Sequence, residues 1–203
     1  MSGIMNSKSV DIPVLRDIQG LIFDLDGTLV DSMPLHLVAW KEAVAAQGHD
    51  YPEYLFYEYA GIPTGKITLL INERLGWNLD PGETVRLKED AFMTMIDRVR
   101  VIEPVFAIVV KYAGAKPMSI GTGSRRVMAQ RIMEAAGLNE YFSILVAADD
   151  VEHHKPEPDT FLRCAELMGT APHRCQVFED GDAGLQAALR AGMEATDIRP
   201  YLV

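Results

Sequence analysis

The residues best suited to chemistry stand at the end of one apolar run, Leu21-Ile22-Phe23-Asp24-Leu25-Asp26-Gly27-Thr28. Two carboxylates one residue apart converge on a single site if the chain leaves the run in a turn, and Gly27 permits that turn. Three other segments carry functional groups just after a short apolar or β-favouring run: Gly121-Thr122-Gly123-Ser124, Lys155-Pro156-Glu157-Pro158 and Glu179-Asp180-Gly181. A lone Asp-Gly pair reads as a surface turn, but the repeated pattern argues otherwise. If each run is a strand of one parallel sheet, the four groups meet in the crevice beyond its carboxyl ends.

Gathered there, the carboxylates repel one another unless a cation intervenes, and hard oxygen ligands suit Mg²⁺. One Asp oxygen, Asp180 and a backbone carbonyl would hold it, while Thr122 and Lys155 neutralise the remaining oxygens of a phosphoryl group. Asp24 then has a path to phosphorus, forming an aspartyl-phosphate that divides one difficult displacement into two. Asp26 is expected to protonate the leaving alkoxide and later take a proton from water, which asks for a pKa nearer neutrality than a free Asp has. Gly123 and Ser124 open a helix, a setting suited to an anion.

The elements that must position these groups follow from periodicity. Leu21–Phe23, Met118–Ile120, Ile144–Val146 and Gln176–Phe178 read as buried strands. Helical patterns run between them, each stopped by a glycine: Val127 to Ala135 before Gly137, Phe161 to Met168 before Gly169, Leu185 to Leu189 before Gly192. Alternating strands and helices predict a doubly wound α/β core with a parallel sheet. From Pro34 to Arg100 the alternation gives way to helical segments alone, ending near Gly48 and Gly76 and continuing as a periodic run from Val85 to Val99. The expected organisation is a core of residues 1–33 and 101–203 with a helical insert, 34–100, after the first strand.

Composition narrows the partners. The formal charge of −10 argues against a sequence-independent grip on nucleic acid, and 48% apolar with 24% charged residues is ordinary globular usage. The longest apolar stretch, Val105–Val110, is far too short to cross a bilayer. Residues 1–17 show no secretory leader pattern, and two thiols, Cys164 and Cys175, make no disulfide framework. A cytoplasmic monomer with no nucleic-acid or membrane partner is expected.

In order and spacing, Asp24-Leu25-Asp26-Gly27-Thr28, Thr122, Lys155-Pro156-Glu157-Pro158 and Glu179-Asp180 resemble the four motifs of the haloacid dehalogenase superfamily of aspartate-nucleophile phosphotransferases, over nearly the whole chain. The chain looks most like its β-phosphoglucomutase-type branch, and especially the bacterial fructose-1-phosphate and 6-phosphogluconate phosphatases. The resemblance implies Asp24 as nucleophile, Asp26 as acid/base and, through its backbone carbonyl, as a metal ligand. It also implies Asp180 as a direct Mg²⁺ ligand, Glu179 as support for the metal water shell, and the insert as a cap closing over the site. The expected substrate is a small phosphorylated sugar or sugar acid.

Ser124, Arg125 and Arg126 match positions that touch the distal part of the substrate in the mutase, and relatives place a histidine where His36 stands, with Ser32 in a similar position. Ser32 could equally cap the first insert helix, and Asp182 the helix that follows Gly181. A mutase needs a second phosphate grip in the cap, which the resemblance assigns to an Arg soon after a cap glycine. Here Gly61-Ile62-Pro63-Thr64-Gly65-Lys66 puts Thr64 in that place, which favours hydrolysis over mutation. A phospho-acceptor signalling module shares the residue types but puts its acidic pair on the first strand and its acceptor Asp later in the chain, and lacks so large an insert. His153-His154 makes a poor metal pair, since adjacent side chains point apart.

Overall fold

The structure is a computed structural model describing residues 11–60 and 62–202. Residues 1–10, within the stretch read above for a leader, and Gly61 of the insert's glycine segment lie outside the described residues. Five strands, β1 (Gly20–Phe23), β2 (Met118–Gly121), β3 (Leu145–Val146), β4 (Cys175–Glu179) and β5 (Glu194–Asp197), form one sheet in the order β3-β2-β1-β4-β5. Every neighbouring pair is parallel. Parallel pairs require crossovers, and the helices that supply them cover both faces.

Strand alternation sorts the core. Leu21 and Phe23 join Ile120 and Phe178 in one apolar layer, packed against α5 (Glu103–Tyr112) and α6 (Arg126–Ala135). Ile22 and Val177 face the other way, onto α7 (Asp159–Met168) and α8 (Asp182–Arg190). The Phe23 and Phe178 rings stack at 4.9 Å between centroids, locking β1 and β4 together beside their carboxyl ends. The register sets Phe23 opposite both Ile120 and Phe178, so the next residues, Asp24, Gly121 and Glu179, come level across three adjacent strands.

Among the described residues four α-helices lie between β1 and α5: α1 (Met33–Ala45), α2 (Glu53–Glu58), α3 (Thr64–Leu75) and α4 (Pro81–Met93). They bury a cluster of their own around Trp40, Tyr51, Leu55, Phe56, Ile67 and Ile71, while Leu35, Ala39 and Phe92 join the layer over the sheet. The aromatic residues of the insert thus serve packing, with Trp40 and Tyr51 stacked at 5.2 Å. Entry and exit of the insert run side by side. The Asp31 N–H donates to Arg100 O at 2.8 Å, and the Ile102 N–H to Leu29 O at 2.9 Å.

The structure departs from the sequence reading at three elements. β5 is an additional strand, whose Glu-Ala-Thr-Asp sequence sits partly exposed at the sheet edge and so carries no apolar run. The helix expected over Val85 to Val99 begins at Pro81, because Asp80 caps it by accepting the Glu83 N–H at 2.6 Å, and ends at Met93 before a short turn of 3₁₀ helix. Asp182 does not cap α8: Gly181 holds that position, and Asp182 pairs with Arg199 at 2.9 Å. Among the described residues no helix is long and apolar enough to cross a membrane. Cys164 and Cys175 are buried free thiols.

Candidate functional site

Asp24 extends β1 by one residue, its N–H donating to Phe178 O at 3.0 Å, and the chain then turns tightly. Leu29 N–H returns to Leu25 O, and Gly27 N–H donates to Val30 O at 2.8 Å. Gly27 has φ of 91°, and a Cβ there would stand 2.3 Å from Asp180 Oδ2. Conformation and close approach therefore both exclude a side chain. Thr28, one residue on, donates its hydroxyl to Asp180 Oδ1 at 2.8 Å, tying the first turn to the end of β4.

The centre of the arrangement is Lys155, brought in by the loop after β3 and almost wholly buried. Its ammonium lies 2.6 Å from Asp24 Oδ1 and 2.7 Å from Glu179 Oε1. The other Glu179 oxygen accepts the Gly181 N–H at 2.6 Å. No hydrogen bond engages Asp24 Oδ2 among the described residues. Burial pushes the Asp24 carboxyl well above its usual value; Lys155 opposes this, while Glu179 and Asp180 add to it. Burial would discharge Lys155, but the fields of Asp24 and Glu179 reverse that and hold it protonated.

Asp24, Glu179 and Asp180 offer oxygen atoms all within 4.8 Å of one another. Three carboxylates facing one ammonium leave an excess of negative charge in a buried place. The strain shows at Asp180, which burial, then Glu179, push up to about 7 against the Thr28 hydrogen bond and Lys155. A hard divalent cation relieves this crowding with the ligand type it prefers, so the residues fit such an ion.

Asp26 turns away from that cluster. Its Oδ1 accepts the Ser32 hydroxyl at 2.6 Å and lies 2.9 Å from His36 Nε2, while Oδ2 accepts the Ser124 hydroxyl at 2.7 Å. Ser32 occupies the N-cap position of α1 without capping it, because its hydroxyl goes to Asp26. Here the sequence expectation is corrected. Burial would raise the Asp26 carboxyl, but the field of His36 and the bonds from His36, Ser32 and Ser124 hold it well below the carboxylate range instead of near neutrality. His36 stacks on Phe92 at 4.1 Å; burial and the nearby charge of Lys88 lower its own pKa, while Asp26 opposes them.

Above these groups opens a pocket with about 830 Å³ of empty space, part of it open to solvent. Asp24, Asp26, His36, Thr122, Gly123, Ser124, Arg125, Glu179 and Asp180 line it from the expected set. Met33, Trp40, Phe56, Ile62 and Ile67 close it from the insert. Lys155 and Ser32 lie behind the wall. Arg126 is drawn elsewhere, its guanidinium held by Asp150 and by Leu145 O, so it is not a lining residue. Thr122 Oγ1 accepts the Ser124 N–H at 3.0 Å, which fixes the loop. Thr64 lines the pocket and Lys66 is exposed outside it. His153 is exposed and pairs with Asp159 at 3.0 Å.

Two charged lining residues escaped the sequence reading, Lys88 and Glu89 of α4. The signal was present. Thr84, Lys88 and Phe92, spaced by four, form the buried face of α4, so a lysine sits where an apolar residue is the rule.

Known proteins resemble the chain closely. A family model described as haloacid dehalogenase-like hydrolase matches residues 18–192. The fructose-1-phosphate phosphatase YqaB of Escherichia coli (strain K12) is 44% identical over 181 residues, covering 89% of this chain and 96% of that protein. Hexitol phosphatase A of the same organism is 33% identical over 179 residues, covering 86% and 80%. A crystal structure of β-phosphoglucomutase from Clostridium difficile superposes with a TM-score of 0.80 at 21% identity, covering 89% and 84%, a likeness of fold.

Two outcomes test the geometry. A Cβ at Gly184 would stand 1.7 Å from Glu179 Oε1. Gly184→Ala should therefore push Glu179 off Lys155 and cost about 3 kcal/mol in urea unfolding; an unchanged midpoint contradicts the packing. The second concerns Asp180. Its folded value of about 7 exceeds the ordinary 3.8, so the folded state holds a proton the unfolded chain releases, and this group lowers stability as pH rises between those values. A divalent cation replaces that proton. The stabilisation it confers over chelator should be larger at about pH 8 than at about pH 5; equal gains would contradict the assignment.

Proposed function

This chain belongs to the haloacid dehalogenase-like hydrolase family, and on that footing we propose that it is a Mg²⁺-dependent phosphatase of small phosphorylated sugars acting through an aspartyl-phosphate at Asp24. The observation that carries the reading is the state of Asp24: buried at the end of the central strand, lining the pocket, with Oδ1 fixed by Lys155 and Oδ2 unengaged. The activities named for the two Escherichia coli relatives, on fructose 1-phosphate and on hexitol phosphates, support a phosphorylated hexose or hexitol as substrate.

Mg²⁺, held by the carboxylates of Asp24 and Asp180 and the Asp26 carbonyl with Glu179 in support, would neutralise phosphoryl oxygens as charge moves during transfer. Asp24 Oδ2 attacks phosphorus and the bond to the sugar oxygen breaks. Asp26, ionised in the free enzyme, takes the acidic proton of the incoming phosphate monoanion, gives it to that oxygen, and later takes one from the water that splits the aspartyl-phosphate. Ser32 and Ser124 suit both states, because each hydroxyl donates to the carboxylate and can rotate to accept from the protonated acid. Lys155 aims Asp24 and, with a bound cation, would hold it ionised against its burial, and Thr122 with the Gly123 and Ser124 segment offers polar contacts to the phosphoryl group.

In this reading the segment 34–100 is a cap, its apolar wall excluding bulk water while substrate is bound. Hydrolysis is favoured over mutation because Thr64 supplies no second cationic grip from α3. The buried free thiols agree with a reducing compartment.

With Mg²⁺, the protein should release phosphate from p-nitrophenyl phosphate. Asp24→Asn, which removes the nucleophile, should abolish release; turnover that survives it overturns the assignment. Asp26→Ala should slow a sugar phosphate about 10²- to 10⁴-fold and an aryl phosphate far less, since the aryl leaving group needs little protonation. Equal losses on the two would contradict the acid role.

A further inference from the structure

Where the insert meets the sheet side of the pocket, two charged residues face each other. Glu89 comes from α4, and Arg125 immediately precedes α6. Arg125 Nη1 lies 3.1 Å from Glu89 Oε2 and 3.3 Å from Oε1, and Arg125 Nε lies 3.9 Å from Asp149 Oδ1. Both partners line the pocket, Glu89 half-buried and Arg125 at the open rim. The guanidinium that could receive a distal acid is therefore already occupied, by one carboxylate on the pocket wall and a second nearby. Lys88, the other cation on the wall, is buried deeper, within the field of Asp26.

We propose that the Glu89–Arg125 pair is a charge filter for the leaving group, accepting a neutral polyhydroxy chain and disfavouring one that carries a second acidic group. This rests on the phosphatase reading above. A neutral chain finds complementary partners, since carboxylate oxygens accept its hydroxyls and the free guanidinium N–H groups donate to it. An acidic end must displace Glu89 from Arg125 and remain close to the displaced charge. Specificity then comes from a repulsive element as much as from an attractive one.

The test uses glucitol 6-phosphate and 6-phosphogluconate, which share a carbon skeleton and differ at the far end as hydroxymethyl against carboxylate. Wild type should prefer the neutral compound in kcat/KM. Glu89→Gln should raise the acid-to-neutral ratio about tenfold, the effect of one partly screened charge. Glu89→Gln/Arg125→Gln should lose that gain, because the acid then has no freed guanidinium to reach. An unmoved ratio in Glu89→Gln, or a gain that persists in the double variant, overturns the filter. If p-nitrophenyl phosphate is hydrolysed but the ratio does not move, or neither sugar phosphate is turned over, the filter alone fails. No phosphate release from any of the three removes the phosphatase reading as well.

Discussion

The ammonium of Lys155, buried between Asp24 and Glu179, is the constraint on which the rest of the site depends. It joins a loop after β3 to the ends of β1 and β4, so three separate chain segments share one charge contact. Without it two carboxylates would stand buried and unpaired, at a cost of about 3–5 kcal/mol for the loss of one partner. A buried ion pair is weak evidence of stability on its own. Its value here is positional: it takes one oxygen of Asp24 and leaves the other unengaged.

The remaining features answer to that contact. Three acids around one ammonium leave a negative excess, which explains both the raised pKa of Asp180 and the fit to a divalent cation. The crowding also explains the glycines. Gly27 lets the first turn pass against Asp180, and Gly184 leaves room for Glu179 to reach Lys155. Asp26, turned toward Ser32, His36 and Ser124, belongs to a separate network linking the first turn to the insert. One strand end thus feeds two environments, in which Asp24 is pushed up and Asp26 is pulled down.

Much of this was legible in the sequence because the sheet is parallel and its central strands are buried on both faces. Such strands are short apolar runs, and functional groups follow them directly, so Asp24, Thr122, Lys155, Glu179 and Asp180 could be found by position alone. β5 was hidden because an edge strand with one face in water needs no apolar run. Lys88 and Glu89 were hidden for another reason. Helical periodicity shows that Lys88 lies on the face shared with Thr84 and Phe92, but only the packing of α4 against α1 and α3 shows that this face meets the pocket. Arg126 and Asp26 illustrate the same limit: residue type announced a charge, while the partners that claim it came from distant segments.

The proposed phosphatase activity rests on covalent chemistry at one atom, Asp24 Oδ2. Protein mixed with Mg²⁺ and a phosphorylated hexitol, quenched in acid and reduced with borohydride, should carry a reduced carboxyl at residue 24, in an amount that follows the steady-state level of the acyl phosphate. Peptide mass spectrometry reads the position. Reduction confined to Asp24 is the expected result; a modified side chain at Asp26, Glu179 or Asp180 with Asp24 intact would contradict it.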